Sequence, residues 1–293
     1  MMITEQTITI PLRQTSHYAF NFIGNDVNGE IHSVYNNTVN ILINRQLFSL
    51  QVKNSPLSPI SLITYLTSSE LEKRLFSPKI TYPFHFDYQQ CDIFNEKLTA
   101  LSINNTRQIA FYAQISEQIL QQSTTNGLAL LLKNNKNDLM LVSIHNYLTQ
   151  IKSFYQLNDI QSAVKILLKL IGLGIGLTPS GDDFLCGFIA VFHRFNLTKT
   201  TFFQYLKQEI KQHIENTNQI SGRFLDCALE NRFSETLIAF FDLTERPINI
   251  DYWIKAFEKI GHSSGIDSLF GVYFACHLLI SKKICDPSHI CKN

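Results

Sequence analysis

The segment GLGIGLTPSGDD, at residues 172–183, separates two stretches of helical pattern. Before it, apolar residues recur from Ile160 to Ile171 at i, i+3, i+4, i+7, i+8 and i+11, which is typical of one face of an α-helix. Asp159 is placed to cap the start of this helix and Gly172 to end it. Four of the 12 glycines of the chain lie between residues 172 and 181. The backbone here therefore needs unusual dihedral angles, or something approaches it closely.

A second segment, GHSSGIDSLFG at residues 261–271, has the same pattern. When Ser180 is aligned with Ser264, the motif Ser-Gly-x-Asp-x-Leu-x-Gly occurs twice, each time at the start of an apolar stretch. We infer two related loop–helix units. Their helices are predicted to pack closely at Gly187 and Gly271, where no side chain keeps the backbones apart.

The aspartates that occupy the same position in the two copies of the motif, Asp183 and Asp267, allow two interpretations. Ser-x-x-Asp before an apolar run is a variant of the capping box, in which the acid only helps to start a helix. A helix N-terminus rich in glycine is also an anion site. If the two helix starts converge, the amides of Gly181 and Gly265 would face one pocket for a small anionic substrate. Both interpretations remain open at this point.

Asp182 and His262 are not explained by helix capping. Adjacent acids on a helix project ~100° apart, so Asp182 is predicted to face the pocket and to handle an N–H group or a proton. The alternative is a solvated acid favoured by the helix dipole. His262 is a candidate general acid or electrophilic donor, unless its ring is tied to its own loop. Thr217 and Ser221, at the start of an intervening helix, are candidates to line the same pocket, although Ser221 would also serve as a cap.

The candidate site thus has two groups of residues. The catalytic candidates are Asp182, Asp183, His262 and Asp267. The substrate-binding candidates carry a hydroxyl group or a glycine amide: Gly176, Thr178, Ser180, Gly181, Thr217, Ser221, Ser263, Ser264 and Gly265. No metal and no cofactor are predicted, because the loops lack the spacing of metal ligands and of nucleotide-binding motifs.

The N-terminal part of the chain has the alternation of β-strands. Apolar residues alternate at 18–22, 39–43 and 48–52, with turns predicted at Asn28-Gly29 and at 44–46. A further hairpin is predicted over 124–142, turning at 135–137. Beyond these strands, helical patterns cover 98–120, 184–196, 201–215, 222–232, 252–260 and 265–280. We predict an α+β fold with a β-rich domain at 1–140 and a helical domain at 141–293, which carries both loops.

Composition excludes several classes of protein. Hydrophobic residues make up 45% of the 293 residues and charged residues 17%, below the ~25% of average soluble proteins, so a sizeable core is expected. The formal net charge of +1 argues against a nucleic-acid or membrane-surface binder. The six cysteines show no C-x-x-C spacing, and no secretory signal is recognised at the start, so a cytoplasmic protein is expected.

At the two loops the sequence resembles the AllH family, the oxamate carbamoyltransferase subunit AllH, earlier described as a domain of unknown function or a putative carboxylase. The three blocks of the family occur here in order at 172–183, 217–228 and 261–267. Ser263 replaces a threonine and keeps its hydroxyl group. The specific resemblance runs from Gly172 to the end of the last predicted helix, and the N-terminal half resembles the family only in its strand pattern.

The resemblance implies a transferase subunit of allantoin degradation and purine metabolism. The reaction would convert oxalurate and phosphate into oxamate and carbamoyl phosphate, in a complex with AllF-like and AllG-like subunits. Separately, the composition is compatible with a homo-oligomer. Three readings stay open: a subunit with its own catalytic contribution, a non-catalytic ligand-binding or scaffold subunit, and a stand-alone small-acid enzyme of the same fold.

Overall fold

The fold of this chain is described from a computed structural model, over residues 7–74, 81–101, 106–133, 138–243 and 247–285. β-Structure in the first part and helices in the remainder confirm the predicted α+β class. The chain forms two compact units, residues 1–97 with 232–238 and residues 98–231 with 239–293. The division lies before the predicted boundary at 140, because the helix that follows residue 105 packs with the C-terminal helices. The predicted division into domains at 1–140 and 141–293 stays a prediction.

The first unit is built on seven strands. They are β1 (Ile8–Ser16), β2 (Asp26–Tyr35), β3 (Thr38–Ile43), β4 (Gln46–Gln51), β5 (Ser61–Thr64), β6 (Thr81–Asp87) and β7 (Asp92–Phe94). Their order in the sheet is β5-β4-β3-β2-β6-β1-β7, and β5 also pairs with β1. This additional pairing closes six of the strands into a barrel, which removes their open edges. Two short helices, α1 (His17–Ile23) and α2 (Ser68–Arg74), belong to the same unit.

The β3–β4 hairpin confirms the prediction made from the alternation on either side of 44–46. Ile43 pairs with Gln46 across a two-residue turn. The turn residues Asn44 and Arg45 have φ angles of 49° and 64°, as a type I′ turn requires. The interior side chains of this hairpin, including Ile41 and Phe48, are fully buried.

Three expectations for the strand region are wrong. Residues 18–22 form α1 rather than a strand, because the Ser16 hydroxyl caps the helix by accepting from the Ala19 amide. Asn28-Gly29 lies inside β2 rather than in a turn; a Cβ atom at Gly29 would lie 2.6 Å from Ile41 Cγ2, so the glycine serves close packing. The hairpin predicted over 124–142 has helical flanks, and its turn at 135–137 lies outside the described residues.

The second unit is helical. Its α-helices are α3 (Thr106–Gln122), α4 (Leu139–Gln156), α5 (Ile160–Leu167), α6 (Ser180–Arg194), α7 (Thr201–His213), α8 (Gln219–Leu229), α10 (Ile250–Glu258) and α11 (Ser264–Cys285), and α9 (Glu235–Phe241) begins in the first unit. Short 3₁₀ helices occupy Leu128–Lys133, Leu168–Leu170 and Ile214–Asn216. Asp159 caps α5 as predicted, since its carboxylate accepts from the Ser162 amide.

Helix α11 is central to this unit. It packs against α6, α3, α10 and α4, and Ile266, Leu269, Val272 and Ala275 are fully buried. By length and composition alone, Ser264–Lys282 could cross a membrane, with a mean hydropathy of 1.3. Because 61% of it is buried inside the protein, it has the character of a core helix, which passes the same test.

Candidate functional site

The two motif helices, α6 and α11, cross at the predicted glycines. A Cβ atom at Gly187 would lie 1.8 Å from the Ser268 carbonyl oxygen, and one at Gly271 would lie 2.0 Å from the Phe184 carbonyl oxygen. In the alignment of the two motifs Phe184 corresponds to Ser268, so the two contacts are equivalent. The predicted close packing of the two helices at these glycines is confirmed.

Hydroxyl groups connect the two loops at the start of these helices. The Thr178 and Ser264 hydroxyl oxygens lie 2.6 Å apart, which joins the first loop to the second helix. The hydroxyls of Thr178 and Ser264 also act on the carboxyl group of Asp183, whereas those of Ser180 and Ser263 act on Asp267. Each acid therefore meets the serine that begins the other motif. Both loops therefore contribute hydroxyl groups to the pair Asp183 and Asp267, whereas the sequence left open whether the two helix starts converge.

Asp183 is a buried carboxyl group. Its side chain is 9% exposed, and its Oδ2 atom has no hydrogen-bond partner among the described residues. Burial raises the pKa of Asp183 well above the ordinary aspartate value, and the negative charge of Asp267 raises this pKa further. The hydroxyls of Ser264 and Thr178 lower it only in part. Asp183 therefore keeps its proton to higher pH than an ordinary aspartate does.

Asp267 is fully buried and has a different partner. Its Oδ1 atom accepts a 2.7 Å hydrogen bond from the amide of Leu128, the first residue of a 3₁₀ helix. Burial raises the pKa of Asp267 to about 6, although the Leu128 amide and the hydroxyls of Ser180 and Ser263 act to lower it. Asp267 therefore releases its proton at a higher pH than an ordinary aspartate does, beside a second carboxyl group whose pKa is also raised.

The structure changes the interpretation of Asp182. Its side chain is 1% exposed, so it does not open onto a pocket. Its Oδ1 atom accepts from the Gly172 amide at 2.8 Å, and its Oδ2 atom accepts from the hydroxyls of Thr217 at 2.5 Å and Ser221 at 2.6 Å. The expected pocket-facing position is thus wrong, because three donors hold the carboxylate inside. Thr217 and Ser221, predicted to line the pocket, use their hydroxyls for this purpose.

The predicted capping boxes are also wrong. Helix α6 has Pro179 at its N-cap without a side-chain cap, so Ser180 lies inside the helix. Asp267 directs a carboxyl oxygen to the Leu128 amide, which belongs to another segment, rather than to the start of its own helix. This outcome removes helix capping as an explanation for both acids.

The glycine amides do not form the expected anion site. The Gly181 amide donates to the Leu173 carbonyl, and the Gly265 amide donates to the Ile260 carbonyl. Both amides are therefore used within their own loops. These glycines serve close packing instead, because a Cβ atom would lie 2.0 Å from the Leu170 oxygen at position 181 and 2.0 Å from the Phe257 oxygen at position 265.

The remaining candidates lie nearer to solvent. His262 is exposed, and within the described residues no hydrogen bond joins it to Asp183 or Asp267. Gly176 is exposed with a φ angle of 96°, a conformation that favours glycine. Its neighbours Ile175 and Leu177 are 92% and 47% exposed, so the first loop presents apolar side chains to solvent. Catalytic and substrate-binding roles for these residues stay predictions.

Sequence reasoning missed one contributor to the site. A Cβ atom at Gly127 would lie 2.5 Å from the Asp267 Oδ1 atom, so only glycine lets this backbone approach the carboxylate. The signal available was an isolated Asn126-Gly127 pair in a chain with few glycines. Within residues 7–74, 81–101, 106–133, 138–243 and 247–285, no group of three His, Cys, Asp or Glu side chains could hold a metal ion.

Comparison with known proteins places these motifs in a family. No solved structure matches the chain. The two loops, the Thr217–Ser221 segment between them and the crossing glycines all lie inside the matched range. Residues 170–276 match the family described as oxamate carbamoyltransferase subunit AllH, and this match confirms the resemblance found at the two motif loops.

Proposed function

We propose that this chain is a subunit of an oxamate carbamoyltransferase and that its two loops contribute an acid–base pair to the active site. The reaction is the conversion of oxalurate and phosphate into oxamate and carbamoyl phosphate during allantoin degradation, in the cytoplasm. The observation that carries the proposal is the convergence of both motif loops on the buried pair Asp183 and Asp267. The family match supports the assignment to this enzyme.

The chemistry of the reaction suits this pair. Phosphate attacks the carbamoyl carbon of oxalurate, the bond from that carbon to the oxamate nitrogen breaks, and a carbon–oxygen bond forms. The leaving nitrogen needs a proton, which a carboxyl group with a raised pKa holds at neutral pH. The pair therefore offers what carbamoyl transfer requires.

The exposed tip of the first loop supports association with partner subunits, which the family description implies. Ile175 and Leu177 extend into solvent beside the hydroxyl cluster. Exposed apolar side chains next to a site are typical of surfaces that another protein covers. We propose that AllF-like and AllG-like subunits complete the active site at this loop.

The proposal is tested by reconstitution. The chain is mixed with AllF-like and AllG-like subunits, and carbamoyl phosphate is measured from oxalurate and phosphate. We expect activity in the mixture, none from the chain alone, and a loss of ~100-fold or more in Asp183→Asn. Full activity of the mixture with Asp183→Asn would indicate the alternative, a non-catalytic ligand-binding or scaffold subunit. Activity of the single chain would indicate a stand-alone enzyme.

A further inference from the structure

The two acids of the site occupy equivalent positions in the repeat, but their surroundings differ. Asp183 and Asp267 each face the first serine of the other motif, Ser264 and Ser180. Apart from these hydroxyl contacts, the surroundings of the two acids are not equivalent. Of two such carboxyl groups, the one whose surroundings stabilise the anion less keeps its proton to higher pH.

The surroundings of Asp267 favour the anion. The Leu128 amide points at its Oδ1 atom from 2.7 Å, and an N–H group can only donate. Gly127, the preceding residue, brings the backbone close enough for this contact, since any Cβ atom there would collide with the carboxylate. Hydrogen bonding from a fixed backbone donor stabilises a carboxylate more than its protonated form.

The surroundings of Asp183 do not favour the anion. Its carboxyl group receives no backbone amide within the described part of the chain, and its neighbours are the hydroxyls of Thr178 and Ser264, which can either donate or accept. Among the described residues the Oδ2 atoms of Asp183 and of Asp267 are both buried without a partner, so each acid has one oxygen left for a proton or a ligand, and the Leu128 amide is what distinguishes the two. The charged side chains that act on Asp183 are Asp267 from α11 and Asp182 from its own helix, both acidic.

We propose that Asp183 carries the proton and gives it to the leaving nitrogen, while Asp267 remains anionic as its positioning partner. This inference rests on the proposed function and assigns distinct roles to the two acids. In the step, the Asp183 proton passes to the oxamate nitrogen as the carbon–nitrogen bond breaks. The proton of the attacking hydrogen phosphate returns to Asp183, so the acid is regenerated and carbamoyl phosphate leaves.

The position of the proton can be measured without substrate. Infrared difference spectra of the intact chain, titrated to about pH 8, should contain the carbonyl stretch of a protonated carboxylic acid. We expect Asp183→Asn to lose this band. In Asp267→Asn the band should titrate at a lower pH, because the neighbouring negative charge is gone. Asp226→Asn is the matched control, since burial also raises the pKa of Asp226, which lies on α8, outside the pair.

The opposite results are equally clear. A band that survives in Asp183→Asn and disappears in Asp267→Asn would place the proton on Asp267, and the absence of any band at about pH 8 would overturn the inference. Should Asp183→Asn not fold, carbon-13 spectra of aspartate-labelled wild-type chain decide the matter. One buried carboxyl carbon should then stay protonated above neutral pH.

The reconstituted complex gives a second readout. Asp267→Asn should move the alkaline limb of the kcat profile to lower pH, because Asp183 loses its proton earlier. A purely structural role of Asp267 would lower activity equally at every pH. If the infrared result holds but the complex shows no carbamoyl transfer, the proton assignment stands and the proposed function fails. If carbamoyl transfer occurs but the infrared band is absent, the proposed function stands and the proton assignment fails.

Discussion

Gly187 and Gly271 are equivalent residues of the two motif helices, and each accommodates a backbone carbonyl of the other helix. The Ser268 oxygen occupies the space of a Cβ atom at Gly187, and the Phe184 oxygen occupies that space at Gly271. The helices α6 and α11 are thus in backbone contact, and the loops at their N-terminal ends are brought together. This crossing is what places Asp183 and Asp267 in one site.

Gly187→Ala should lower the free energy of unfolding. The new methyl group would meet the Ser268 oxygen at 1.8 Å, so the two helices must separate, and overpacking of this kind costs about 1–3 kcal/mol. Urea unfolding measures the change. The control is Gly222→Ala on α8, where a Cβ atom would lie 3.4 Å from Ile214 Cγ1. Better helix propensity there should offset the tighter contact, and equal losses in both variants would contradict the crossing.

Asp182→Ala should destabilise the chain rather than affect activity alone. Three buried or part-buried donors, from Gly172, Thr217 and Ser221, lose their acceptor, and each unsatisfied buried group costs about 1–3 kcal/mol. We expect a total loss of about 3 kcal/mol or more in urea unfolding. Ser221→Ala removes only one of the three contacts and should cost about 1 kcal/mol. If Asp182→Ala melts like the wild type, the carboxylate does not hold these segments.

Stability should depend on pH through Asp267. Its folded-state pKa is about 6, above the ordinary aspartate value of 3.8, so the folded chain binds this proton more tightly than the unfolded chain. The contribution is fully present below about pH 4 and is lost as pH rises to about 6, a change of about 3 kcal/mol. Asp183 continues the same trend at higher pH, because its pKa is also raised.

This dependence is measured as the difference between two unfolding curves. The free energy of unfolding of wild type minus that of Asp267→Asn should fall between about pH 4 and about pH 6, since the asparagine does not titrate. Carboxyl groups far from Asp267 cancel in this difference, whereas Asp183, whose pKa is raised by the charge of Asp267, does not. A difference that rises with pH over the same range would mean that the pKa of Asp267 is lowered in the folded chain.

Ile175→Asp should weaken assembly without changing the stability of the chain. The side chain is 92% exposed at the tip of the first loop, so its replacement removes no internal packing. Size-exclusion chromatography with AllF-like and AllG-like subunits measures association. Leu157→Asp, at a residue that is 75% exposed after α4, is the matched control. Loss of association in both variants or in neither would contradict a partner surface at this loop.

Part of the fold could be predicted because local chemistry decides it. Asn44 and Arg45 between alternating apolar residues form the turn of β3–β4, and Asp159 caps α5 through its own side chain. Residues 18–22 were mispredicted because Tyr18 and Phe22 pack on one side of a short helix as well as on one face of a strand. The Ser16 cap decides between the two, and a single hydroxyl group carries little weight in a pattern.

The meeting of the two motif helices was predictable, but the contacts of the candidate residues were not. The repeated motif correctly indicated that the two helices pack together at Gly187 and Gly271, whereas catalytic roles for Asp183 and Asp267 stay predictions. Asp182 was misassigned because its partners, Gly172 and Ser221, lie 10 and 39 residues away along the chain. Spacing within a helix shows where a side chain points. It does not show which hydrogen-bond donors from distant parts of the sequence lie there.

The hydrogen bonds of Asp182 also limit how the first loop can move. The loop is fastened at its start, where the Gly172 amide donates to the buried carboxylate, and at its end, where Asp182 belongs to α6. Opening the loop would break contacts to Thr217 and Ser221 and leave a charge unpaired in the interior. We therefore expect hydrogen exchange at the Gly172 amide to be nearly as slow as global unfolding, while the exposed tip at Ile175 exchanges rapidly. The base of the first loop is therefore expected to stay fixed while its tip moves.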